Sequence, residues 1–202
     1  NFTTPEFNVN VSQLPFWALS VYFFWKSLNS NKNIDWILFG IFSALGFLSK
    51  YLFIYLLFSI VLLFSYFIFY KKLKKFDFKY LIAIEVFLIL LVPHLIWLIG
   101  NDYITVKYAL NRTGLETSNF LSHIKFPIVF LFKQLILLIP FIVLVSLLIK
   151  KNKLNLNNKD KKLIFLFFVS IVPIVLMLTT SIITGSRIRT MWMTPFYLSF
   201  GI

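Results

Sequence analysis

Charged side chains are scarce in these 202 residues, so the few that interrupt apolar runs mark where chemistry can occur. The stretch Gly40-Ile-Phe-Ser-Ala-Leu-Gly46-Phe-Leu-Ser-Lys50-Tyr51 ends a run of small and apolar residues on a lysine. Gly185-Ser-Arg187-Ile-Arg189-Thr-Met-Trp192-Met-Thr-Pro195 sets two arginines between apolar runs, and Arg112 stands in a polar stretch upstream. A guanidinium meets phosphate oxygens bidentately and an ammonium meets them as a point charge. Lys50, Arg112, Arg187 and Arg189 are therefore candidates to hold a phosphate. Pro93-His94-Leu-Ile-Trp97, followed by Asn101 and Asp102, offers His94, Asn101 and Asp102 as residues lining a site for an acceptor. Glu6 and Asp102 are the candidate carboxylates for acid–base work, with neither singled out. There is no cysteine, and His94 and His123 lack metal-ligand spacing, so no dedicated metal site is read from the chain. Each residue also has a plainer reading. Lys50 can snorkel to the membrane surface, Pro93 can kink a helix, Trp97 can sit in an aromatic belt, and the arginines can meet ordinary headgroups.

The elements that must position these residues are membrane helices. The sequence is 59% hydrophobic and 20% aromatic with only 13% charged residues, too much apolar surface for a soluble domain of this size to hide. Seven apolar runs, 13–28, 34–49, 51–70, 80–99, 126–149, 163–184 and the truncated 191–202, fit or nearly fit the roughly 20 residues that span a bilayer. We expect an all-α, polytopic transmembrane bundle of about seven spans, forming a single domain over 1–202. The net charge of +13 does not point to nucleic acid, because the cations gather in loops and form no basic face. The segments 26–35, 71–79 and 150–162 carry two, five and six of them, 13 of the 20, on one side if every run crosses once. The positive-inside rule makes that side cytoplasmic and places 1–12, Lys50, 100–125 and 185–190 outside, where the candidate residues lie. The run 34–49 spans only about 24 Å, which puts Lys50 near headgroup depth, where an unpaired ammonium needs an anionic partner such as a lipid phosphate. Lys133 lies deep in its run, which leaves two explanations: an absent carboxylate partner or a helix that starts later.

Five motifs in order resemble the bacterial family 39 glycosyltransferases, the GT-C enzymes related to protein O-mannosyltransferases and the aminoarabinose transferase. They are Thr4-Pro5-Glu6 with Leu14-Pro15-Phe16-Trp17; Gly40 to Tyr51; Pro93-His-Leu-Ile-Trp97 with Asn101-Asp102 and Arg112; Gln134-Leu to Pro140; and Arg189-Thr-Met-Trp192-Met-Thr-Pro195. The resemblance implies a sugar transferase of the bacterial inner membrane. Its donor is a polyprenyl-phosphate-linked sugar and its acceptor a lipid, glycan or protein at the outer face. Lys50 and Arg189 match basic positions of the family pattern, Lys50 as the donor-phosphate contact, and Arg112 lies where relatives carry an arginine. The family's catalytic acidic residue belongs to a loop that precedes Asn1, so we expect an internal piece of a longer protein that is inactive alone. The donor sugar, the acceptor and any divalent metal ion stay open. A transporter or flippase of lipid-linked sugars is the alternative, and it calls for polar residues along a mid-membrane path. A structural membrane subunit would leave the cations on the outer side without a reason.

Overall fold

Each apolar run becomes a helix because hydrocarbon gives a backbone N–H no outside partner, so each segment must satisfy its own. The computed structural model describes residues 7–30, 32–71, 77–114, 119–151 and 160–201, and no strand occurs among them. The helices are α1 (Val9–Ser30), α2 (Asn33–Ser49), α3 (Ile54–Ser65), α4 (Lys79–Gly100), α5 (Ile104–Thr113), α6 (Ser122–Lys151), α7 (Lys161–Ser170) and α8 (Val172–Thr184). A 3-10 turn, Tyr51–Phe53, leads into α3 and a π turn, Tyr66–Tyr70, prolongs it. A terminal 3-10 segment, Thr190–Gly201, follows α8. The large side chains left outside include Ile89, Ile96 and Phe132, as a lipid-facing surface requires. The chain is a helical membrane protein.

The expected seven crossings are corrected. Among the described residues four segments are long and apolar enough to span a bilayer: Tyr51–Tyr70, Lys79–Gly100, Ser122–Leu147 and Lys161–Thr184. Asn33–Ser49 is apolar but shorter. Helix α1 is long enough at 22 residues, but Asn10, Ser12, Gln13, Ser20 and Ser27 break its apolar run. The break has a packing reason. Asn10, Gln13, Trp17, Ser20, Phe24 and Ser27 recur every three or four residues and are all buried, so the polar stripe of α1 faces the protein and not lipid. Lys133 is also settled in part. Helix α6 starts at Ser122, earlier than the apolar run, and the Lys133 side chain is exposed.

Helix α1 packs against α2, α2 against α4, and the terminal segment closes on α1 and α7; α3 leans on α7 and α8, and α8 on α6. Two glycines allow the closest approaches. A Cβ on Gly40 would lie 2.6 Å from the Ala83 carbonyl oxygen of α4, and one on Gly46 would lie 2.4 Å from the Phe53 ring. Small residues thus bring α2 and α4 into backbone contact and let Phe53 fold beneath the end of α2. Trp17 is fully buried at this junction, edge-on to Phe53 at 5.5 Å and tilted on Phe196 at 4.9 Å. A second aromatic cluster lies toward the other end, where Tyr80 meets Trp36 at 4.9 Å and Phe64 at 4.3 Å. The ion pair of Lys26 with Asp35 (3.2 Å) belongs to that end.

Because the obstacle at Gly40 is backbone, Gly40→Ala is expected to lower the thermal unfolding midpoint in detergent, by the equivalent of about 1–3 kcal/mol. Gly100→Ala, where an added Cβ meets nothing within 4 Å, should leave the midpoint unchanged or raise it.

Candidate functional site

The site begins with a break in the chain. Helix α2 ends at Ser49, the next helical turn begins at Tyr51, and Lys50 is the one extended residue between them, at φ −165° and ψ 129°. The carbonyls at this junction have backbone partners, the Lys50 N–H on Gly46 at 3.3 Å and the Phe53 N–H on Lys50 at 3.0 Å. Gln13 of α1 adds a side-chain bond to each: its fully buried side chain donates from Nε2 to the Lys50 carbonyl (2.9 Å) and to the Gly46 carbonyl (3.3 Å). One turn earlier on the same stripe, Asn10 accepts a hydrogen bond from Lys50 Nζ through Oδ1 at 2.5 Å. The backbone and the ammonium of Lys50 are thus fixed by two residues three apart on α1.

Trp192 of the terminal segment completes the setting, with its ring 5.1 Å from Lys50 Nζ, a cation–π contact. Among the described residues no carboxylate pairs with Lys50. Burial strips water from the ammonium, the Arg112 charge repels it, and the two push its pKa down to about 7. An anion placed beside it would reverse both penalties.

Around this centre the other candidate residues converge. The Tyr51 hydroxyl lies 2.7 Å from His94 Nε2 and 2.7 Å from Thr105 Oγ1, joining the α2–α3 junction to α4 and α5. His94 stacks at 5.8 Å on Trp97. Asn101 donates through Nδ2 to the Trp97 carbonyl (2.8 Å), which closes the end of α4. Asp102 and Tyr103 then adopt left-handed φ of 51° and 57°, a sharp corner that starts α5 in a new direction. Asp102 itself is exposed. Arg112 ends α5, lies over the Tyr108 ring at 5.6 Å and donates to the Tyr108 hydroxyl. Beside it the Thr113 carbonyl accepts the Arg187 N–H at 2.9 Å, so the arginine turn after α8 is tied to the end of α5. Arg189 is one turn from Trp192, whose N–H bonds the Arg189 carbonyl at 3.0 Å.

Lys50, Arg112, Arg187, Arg189, His94, Asn101 and Asp102 therefore belong to one end of the bundle. The charge that acts on Lys50 differs from the expected one, being Arg112, while Arg189 is linked to it by way of Trp192. Glu6 lies outside the described residues. Among the described residues no three His, Asp or Glu side chains gather as metal ligands. Sequence reasoning missed Asn10, Gln13, Tyr51 and Thr105. The signal for the first two was present, since polar residues at three- and four-residue spacing in an apolar helix mark an inward stripe.

Residues 1–97 match the family model described as dolichyl-phosphate-mannose-protein mannosyltransferase. No curated protein and no solved structure matches the chain. The matched stretch contains Asn10, Gln13, Lys50, Tyr51 and His94, and the arginines and Trp192 lie beyond it. This likeness over residues 1–97, to a family of membrane glycosyltransferases of the GT-C type, agrees with the resemblance read from the motifs.

Proposed function

We propose that this end of the bundle binds the phosphate of a polyprenyl-phosphate-linked sugar at the outer face of the bacterial inner membrane. The sugar is then passed to a lipid, glycan or protein acceptor. The observation that carries the reading is the Lys50 ammonium, half-buried, held by Asn10 and Trp192 and, among the described residues, facing no carboxylate. A buried cation without a counter-ion is costly, and a ligand that brings the negative charge removes that cost. Arg112, Arg187 and Arg189 are exposed around it and suit the remaining phosphate oxygens.

The chemistry follows from the charges. When the bond between the sugar's anomeric carbon and the phosphate oxygen breaks, that oxygen gains negative charge, and a fixed ammonium stabilises the transition state more than the ground state. Asn10 and Gln13 keep the ammonium in place, so little reorganisation is needed during the reaction. His94 and Asp102 stand on the acceptor side in this reading, and no residue of the chain is assigned as the base. The outer-face placement rests on Lys71, Lys79, Lys161 and Lys162, which flank the spans at the opposite end. A conduit for lipid-linked sugars would want these polar groups along the bundle's length, and here they gather at one end.

Sugar transfer from a polyprenyl-phosphate donor, measured on the purified full-length protein, tests the proposal. Lys50→Ala should cost about 10²–10³ in rate, the usual effect of losing one preorganised donor to a developing anion. Lys50→Arg should recover part of the loss. An unchanged rate for Lys50→Ala at both limiting and saturating donor would show that the lysine only snorkels to the surface.

A further inference from the structure

The end of the bundle opposite Lys50 carries a feature that the transferase reading does not use. A groove of about 370 Å³ runs between α1, α7 and the terminal segment, lined by Ala18, Tyr22, Trp25, Phe165 and Leu198 among others, with Lys162 on its wall. Its volume falls in the range of small-molecule sites, about 300–1,000 Å³, and its walls are almost wholly apolar. Trp25 meets Phe165 edge-on at 4.7 Å and anchors the helix pair on which the groove is built. Lys162, exposed in the first turn of α7, supplies positive charge at the lysine-rich end. Lys161 precedes it, and Lys26 lies 5.9 Å from the Tyr22 ring with its charge shared by Asp35. Helix α7 opens a membrane-spanning segment, so the lysine end of the groove coincides with one membrane surface while its body faces hydrocarbon.

We infer that the groove holds one acyl chain of an anionic phospholipid from the leaflet at the lysine-rich end, with the lipid phosphate on Lys162. The argument is charge complementarity joined to shape. An apolar trough reaching into the hydrocarbon fits a single chain, aromatic side chains at its rim suit the interface, and a basic pocket between helices recognises an anionic headgroup. The lysine stem covers apolar wall while its ammonium reaches the headgroup. This site is independent of the Lys50 site, being at the other end of α1, and does not require the transferase reading to hold.

Native mass spectrometry of the full-length protein, released from vesicles of phosphatidylglycerol or of phosphatidylcholine, tests the inference. Wild type should retain phosphatidylglycerol in preference to phosphatidylcholine. Lys162→Gln should lower phosphatidylglycerol retention about fivefold, the worth of one lysine at an anionic surface, with phosphatidylcholine unaffected and Lys162→Arg restoring the difference. Ala18→Phe, which adds a ring at an exposed position on the groove wall, should reduce retention of both lipids. Lys125→Gln, which removes an exposed lysine of α6 outside the groove, should change nothing in this experiment, so a general loss of positive charge and the loss of this site are told apart. Equal retention of the two lipids by wild type, or a preference that survives Lys162→Gln, would overturn the inference. So would a polyprenyl alcohol displacing the phospholipid equally well from wild type and from Lys162→Gln, an outcome that would assign the groove to an isoprenoid tail.

Discussion

A cation fixed between two helices, with no counter-ion beside it among the described residues, is the constraint on which this end of the molecule is organised. Gln13 adds a side-chain hydrogen bond to the Lys50 and Gly46 carbonyls, which ties α1 to the backbone of the junction. The Lys50 ammonium cannot stay charged without polar and π partners, and Asn10 and Trp192 provide both. Phe53 cannot pack beneath the junction unless position 46 lacks a side chain, and it is glycine. Four separate features of the sequence thus agree on one local geometry. Their agreement is better evidence of a built site than any one of them.

The same logic explains why α1 is the most polar of the long helices. A hydrogen-bonding side chain in contact with lipid is costly, so Asn10, Gln13, Ser20 and Ser27 must share the face that carries Trp17 and Phe24 into the bundle. The upper part of that face serves Lys50. Farther along, a different side of α1 lines the apolar groove that ends at Lys162. The helix therefore links a site of unpaired positive charge at one end of the bundle with a lysine-flanked trough toward the other.

Much of the fold was legible because hydrophobic run length is a strong signal: the runs that begin at 34, 51, 80, 126 and 163 each fall within a helical stretch, most to within a few residues. The beginning of α1 was read too late, at 13 where the helix starts at 9, because polar residues look like loop until their shared face is noticed. Counting crossings went wrong for a related reason, since helix length alone does not separate a spanning segment from one buried by its neighbours. The cations of the candidate site were legible because charge is rare in such a chain and stands out. Their partners were not. Which cation reaches Lys50 depends on the left-handed corner at Asp102 and Tyr103, which aims α5, and nothing in the local composition announces that turn. Likewise the bond from Tyr51 to His94 joins residues 43 apart in sequence, a pairing set by how α2 crosses α4.

The central claim is that the Lys50 ammonium meets a phosphate, and its lowered pKa gives a direct way to ask. A polyprenyl phosphate esterified to sugar is a diester with one constant negative charge, so any change in its affinity with pH belongs to the protein. The site must bind it with Lys50 protonated, and in the free protein that proton is lost as pH rises through about 7. Affinity should therefore be full below pH 7 and fall above it, approaching tenfold per unit while the bound lysine stays charged. Isothermal titration of the full-length protein with this ligand between pH 6 and 9 measures it, at about 0.15 M salt so that exposed charges are screened. The account predicts that fall in wild type and a weak, flat profile for Lys50→Gln. Equal affinities for the two proteins across the range would contradict it.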